Sequence, residues 1–155
     1  MTEKHTLEEV SAENERSLKT LARALAYSRG EFALILARYS DKRSPVLSRQ
    51  KLQEQYNIAI RELILKPSAK TLLFNIQAEI GEETPEALMV LGLESVIELD
   101  EVLRHSNRVR DQFRNLSFPL VLWVTEEVLQ KMIWLAPDFK SFATRSIQFQ
   151  KETCE

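Results

Sequence analysis

The sequence predicts an α/β fold of three layers. A mostly parallel sheet of about five strands carries helices on both faces, and a further helix precedes it at the N-terminus. Three observations carry this reading. Short unbroken apolar runs, Phe32–Ala37, Ala87–Leu91 and Phe118–Val124, have the length of strands; runs of this kind mark strands covered on both faces. Stretches with apolar residues at helical spacing separate them, which is the α/β pattern. Glycine is scarce: Gly30, Gly81 and Gly92 are the three in 155 residues, where average usage gives about eleven. A domain built from tight β-turns needs more, because such turns draw on glycine for positive φ.

Each element has its own justification. Thr6-Leu7-Glu8-Glu9 is a capping-box pattern that opens a helix over residues 6–29. Leu18, Leu21, Ala22 and Leu25 form its apolar stripe. The stripe is weak before Ser17, so residues 1–14 read as frayed, and Gly30 supplies a left-handed C-cap. The first strand is Phe32–Ala37. A polar loop, Asp41–Pro45, follows, with Ser44 and Pro45 as N-cap and first helical residue (Ser48 is a second candidate cap). Leu52, Tyr56, Ala59, Ile60 and Leu63 carry that helix to about Leu65, where Lys66-Pro67-Ser68 stops it. Thr71–Gln77 reads as the second strand, Ala78–Pro85 as an acidic turn, and Ala87–Leu91 as the third strand, ended by Gly92.

A long helix is expected from Glu94 to Leu116. Phe118–Val124 is the fourth strand, with Pro119 at its start, where a missing N–H does least harm. Thr125 caps the next helix, and Glu126 and Glu127 suit the positive end of its dipole. Pro137 ends that helix. Ser146–Gln150 is a short fifth strand, and residues 151–155 read as frayed. No linker divides the chain, so residues 1–155 are expected to form a single α/β domain.

Composition excludes several function classes. The formal net charge of −2 gives no global pull toward nucleic acid. Cys154 is the sole cysteine, so an internal disulfide and a cysteine zinc site are both excluded. The N-terminal residues are polar, and no apolar run approaches the ~20 residues of a membrane span. The expectation is a cytoplasmic protein with neither nucleic acid nor membrane as partner. Without glycine-rich segments, neither a Walker A loop nor a GxGxxG loop can be built.

Open α/β sheets bind ligands at the carboxyl ends of their strands, which directs attention to three exits. After strand one, Asp41, Lys42, Arg43 and Ser44 could hold an anion, with the following helix N-terminus assisting. As a phosphate loop this stretch lacks every glycine, and a solvated basic loop is the blander reading. After strand three, Glu94 is the first acid. It could serve as a displaced magnesium or water ligand, or be a helix-start acid favoured by the dipole. After strand four, Thr125 could sense a ligand or simply cap a helix. Glu101 and His105 lie one helical turn apart and, with Glu94, would be the residues of a metal-dependent hydrolase, a distant alternative. Arg104, Arg108, Arg110 and Arg114 lie among acids and read as a salt-bridged surface. No nucleophile elbow exists, and no catalytic constellation stands out.

Four stretches, LARALAYSRGEFALILARYS, PEALMVLGLESV, FPLVLWVTEEVLQKMIWLAPDFKSF and the closing IQF, together resemble a domain of bacterial proteins of the STAND class or their relatives, often found ahead of tetratricopeptide repeats. The resemblance covers residues 15–150. It implies a P-loop-NTPase-like α/β core with an N-terminal helix. It also marks departures: residues 40–48 match no Walker A motif, and Val90–Glu94 has the Walker B shape with its first acid absent. Effector or repeat regions usually accompany the domain, which implies a repeat or effector protein as partner.

The leading expectation is therefore a non-catalytic NTPase-like regulatory or protein-interaction module. The alternative is a small nucleotide- or anion-binding domain using the loop after strand one. No cofactor is expected, and ATP or GTP with Mg²⁺ is disfavoured. Trp123 and Trp134 are expected in or beside the core; the alternative places Trp134 outside with Phe139 and Phe142 as an apolar contact surface. The oligomeric state is left open.

Overall fold

The structure, a computed structural model, describes residues 7–151. In chain order the elements are α1 (Leu7–Tyr27), β1 (Ala33–Arg38), α2 (Arg43–Tyr56), β2 (Ile60–Ile64), α3 (Leu72–Ile80), β3 (Ala87–Leu91), a 3-10 turn (Leu93–Ser95), α4 (Leu99–Arg108), α5 (Arg110–Phe113), β4 (Pro119–Val124), α6 (Glu126–Leu135), α7 (Pro137–Lys140) and β5 (Ala143–Gln148). The five strands form one parallel sheet in the order β2-β3-β4-β1-β5. Every strand therefore presents its carboxyl end at the same rim.

Strand alternation divides the core between the two faces of the sheet. Leu34, Leu36, Leu88, Leu120 and Leu122 point to one face and meet Leu72, Val102, Leu103, Phe113 and Met132 from the helices between α3 and α6. Ile35, Ala37, Met89, Val121 and Trp123 point to the other and meet Leu18, Leu21, Leu25 and Leu52 from α1 and α2. This is the expected three-layer arrangement. Each leucine, isoleucine, valine, phenylalanine or methionine among them adds about 1.5–3 kcal/mol on full burial. Among the described residues, no helix is long and apolar enough to cross a membrane.

The chain differs from the sequence expectation between residues 57 and 80. The helix expected to reach Leu65 ends at Tyr56, and Ile60–Ile64 is strand β2. Asn57 is the reason. It adopts φ 55 and ψ 39, and the N–H of Ile58 reaches back to the Leu52 carbonyl at 3.0 Å. Asparagine tolerates this left-handed cap where other side chains do not. The run expected as strand two is helix α3: Leu72, Leu73, Ile76 and Ile80 are buried on one side while Phe74 is exposed. The two corrections cancel in the strand count.

Smaller differences follow. The long helix expected over 94–116 is broken into the 3-10 turn, α4 and α5; the Ile97 N–H donates to the Pro67 carbonyl at 2.9 Å instead of to a helical partner. α1 is already helical at Leu7, in place of the fraying expected up to residue 14. The capping residue Thr6 lies outside the described residues. Pro137 does follow the end of α6, and it also opens α7 at a first-turn position.

Candidate functional site

All three exits singled out in the sequence meet at the carboxyl rim. β1 leaves it through Tyr39–Lys42, β3 through Gly92 and the 3-10 turn, and β4 through Thr125. The β1–α2 connection is four residues long, shorter than the glycine-rich segment of a phosphate loop.

Its first residue, Tyr39, dominates the site. The ring is buried and lies edge-on to Trp123, with centroids 5.8 Å apart. Its hydroxyl donates to Glu94 Oε2 at 3.0 Å, which ties the β1 exit to the β3 exit across the rim. Burial raises the phenol pKa well above the ordinary tyrosine value of 10.0, and the Glu94 charge and hydrogen bond raise it further. Tyr39 is therefore a neutral donor at any physiological pH. Glu94 is exposed, and its carboxylate accepts the hydrogen bond from this phenol.

The rest of the loop is locally satisfied. The Arg43 N–H donates to Asp41 Oδ1 at 3.0 Å, and the Arg43 guanidinium pairs with Asp41 Oδ2 at 2.7 Å. The side-chain and backbone hydrogen bonds from Arg43 bring the Asp41 carboxyl down to about 2. The cap expected at Ser44 is absent: α2 starts at Arg43, Lys42 is its N-cap residue, and the Ser44 N–H donates to the Asp41 carbonyl at 2.9 Å. Lys42 is exposed.

At the β4 exit, Thr125 caps α6 as expected, accepting from the Val128 N–H at 3.3 Å. Arg38, at the end of β1, donates to Glu126 Oε1 at 2.7 Å and to Gln148 Oε1 at 2.6 Å, joining the exits of β1, β4 and β5. An open groove of about 830 Å³ lies over these three exits, lined by Arg38, Tyr39, Thr125 and Phe149 among others. A second, of about 610 Å³, lies over the exits of β3 and β4 and includes Glu94, Ile97, Glu127 and Lys131.

Gly92 explains why no acid directly follows β3. It sits at φ 93, and a Cβ there would stand 2.9 Å from the Leu65 carbonyl oxygen and 3.2 Å from the Leu65 nitrogen. Side chains do not tolerate either condition.

The sequence reasoning located the rim and named Glu94, Asp41 and Arg43, but it missed Tyr39 and Arg38. They directly follow the apolar run Phe32–Ala37, and that position was the available signal. The candidate hydrolase set is not assembled. Glu101 pairs with Arg108 at 3.0 Å and approaches Arg104, and among the described residues no three His, Cys, Asp or Glu side chains gather to hold a metal. Arg110 turns back to the Asn107 carbonyl, and Arg114 lies over the Phe142 ring at 4.5 Å.

The apolar surface expected from Trp134, Phe139 and Phe142 also needs correction. Trp134 is 80% exposed, which overturns its expected place in or beside the core, whereas Trp123 is buried as expected. Phe139 is 0% exposed and packs on Phe113 at 4.6 Å, because the turn of α7 folds it inward. Phe142 is half-buried. The exposed apolar pair is Ile133 and Trp134 on α6.

No protein-family model matches this chain, and no curated protein matches it. Among solved structures it is similar to the Aeropyrum pernix ORC2 protein in ADPNP–ADP complexes, with a TM-score of 0.55 and 13% identity. The match covers 90% of this chain and 47% of that one, so the chain spans about half the length of its structural neighbour. The likeness is one of fold: the two chains share the parallel sheet with helices on both faces.

Proposed function

We propose that this chain is a non-catalytic module of P-loop-NTPase-like fold that works by binding another protein. The observation that carries the reading is the Tyr39–Glu94 hydrogen bond. It spans the rim between the exits of β1 and β3, where a nucleotide-binding relative would keep a phosphate loop and a magnesium-holding acid. A short glycine-free loop and a glycine in place of the acid support it. Ile133 and Trp134 offer an apolar anchor of the type that protein partners use. The resemblance to STAND-related domains favours a repeat or effector protein as that partner.

Isothermal titration of the full chain with ATP and GTP, each with Mg²⁺, tests the reading. The structural neighbour was solved with ADPNP and ADP, so adenine nucleotides are the ligands to try first. The expected result is no heat of binding and no hydrolysis. Micromolar binding (about −8 kcal/mol) would replace this reading with that of a nucleotide-binding domain. In that event Lys42→Ala with Arg43→Ala would establish whether the loop after β1 holds the phosphates.

A further inference from the structure

β2 is an edge strand: among the described residues it pairs with β3 and with no other strand. Main-chain groups alternate in direction along a strand. The Leu65 N–H donates to the Leu91 carbonyl at 2.9 Å, so the odd-numbered residues bond inward to β3 and the even-numbered ones face out. At Ile60 the outward carbonyl already accepts from Arg49 Nε at 3.2 Å. Beyond it the outward groups belong to Glu62, Ile64 and Lys66. Lys66 precedes Pro67, which holds it in the extended region. Its carbonyl accepts from the Ala69 N–H at 3.0 Å, which leaves its N–H facing outward.

Side chains alternate in the same way. Leu63 and Leu65 join the core on one face of the sheet. Glu62, Ile64 and Lys66 stand on the other, and Ile64 is 63% exposed at the centre of the three. The order acid, exposed isoleucine, base is self-complementary when reversed.

We infer that this edge pairs with a second copy of the same chain. The two β2 strands run antiparallel about a twofold axis at Ile64. Ile64 then faces Ile64 of the second copy, and each Glu62 faces Lys66 of the other. A register centred on Glu62 would instead set two carboxylates directly opposite, which is unfavourable. The interface is isologous, as closed twofold symmetry requires. Main-chain bonds supply the attraction and the side-chain pairs fix the register, as in other strand additions. Arg49 ends the usable stretch by occupying the Ile60 carbonyl.

Sedimentation equilibrium of the full chain over a wide concentration range tests the inference. Wild type is expected to show a reversible monomer–dimer equilibrium. Glu62→Lys or Lys66→Glu places like charges opposite each other twice per dimer, and each is expected to weaken self-association about tenfold. An equimolar mixture of these two variants restores both opposite-charge pairs and should form heterodimers more readily than either variant self-associates. Ile64→Pro removes an N–H that points away from β3. It should give a monomer with unchanged circular dichroism, since proline is tolerated on the open side of an edge strand. A wild-type chain that stays monomeric overturns the inference. So does a dimer that ignores the charge swaps and shows no heterodimer preference.

Discussion

The two edges of the sheet are treated differently. At β5, α1 closes the far end. Asn14 uses its amide as a strand would, accepting from the Gln150 N–H at 2.8 Å and donating to the Gln150 carbonyl at 2.8 Å. One turn further on, the Ser17 hydroxyl donates to the Gln148 carbonyl at 2.7 Å. At β2 a single arginine, Arg49, occupies the Ile60 carbonyl and approaches Glu62 at 4.0 Å, and among the described residues no second strand pairs with the outward side. An exposed edge is an invitation to pair. The bonds from α1 occupy the end of β5 at Gln148 and Gln150, whereas at β2 the outward groups of Glu62 and Ile64 carry no such contact from a helix polar side chain other than Arg49.

The largest predicted effect falls where the open edge meets the rim. Gly92→Asp would drive a Cβ into the Leu65 backbone at the end of β2 and force a side chain into a positive φ. A loss of about 3 kcal/mol or more is expected in urea unfolding, with the exit of β2 displaced. Stability within about 1 kcal/mol of wild type would mean that the two exits do not press on each other.

An intermediate effect is expected at the closed edge. Asn14→Ala leaves the N–H and carbonyl of Gln150 without their partner, at a cost of about 1–3 kcal/mol. Hydrogen exchange should accelerate at Gln150. Unchanged exchange there would place the closure of this edge in the apolar stripe of α1 instead of in its polar face.

The smallest effect belongs to a bond lying between the two edges. Tyr39→Phe removes the hydrogen bond to the exposed Glu94, which water can then solvate, so a loss of about 1 kcal/mol is expected at neutral pH. The pH dependence is the more telling readout. Folding raises the Tyr39 pKa above its unfolded value of about 10, so above that pH the unfolded chain gives up a proton that the folded chain keeps. Wild-type stability should therefore be fully present below pH ~10 and fall as the pH climbs toward the raised folded value. The variant should lack that component of the alkaline decline. Identical alkaline limbs for the two proteins would argue against a buried, neutral phenol.

The parts of the fold legible in the sequence share a physical cause. β1, β3 and β4 are buried on both faces, so each is an unbroken apolar run. α6 announces itself through Thr125, a side chain whose hydrogen bond is local. Between residues 57 and 80 the governing facts are less visible. β2 carries Arg61 and Glu62 because an edge strand can place them beside solvent, where Arg61 pairs with Glu79 at 3.4 Å and also with Glu83. The helix before it is stopped by Asn57, and asparagine is a common residue with many other uses. α3 is short and largely apolar, so its period of 3.6 hardly separates it from a strand. The rim was legible because parallel topology puts every exit at one end. Tyr39 was not, since the residue that gives it meaning, Glu94, lies 55 positions further along.

The close crossing at Gly92 bears on how this protein can change. Most surface positions sample many side chains one nucleotide change at a time. Here a carboxylate placed directly after β3 must wait until Leu65 has moved, and Leu65 is held by its own bond to Leu91 and by the core beneath it. A selection for metal-dependent chemistry that begins at position 92 therefore starts with a cost in stability. Position 94, already acidic and exposed, is the more accessible starting point.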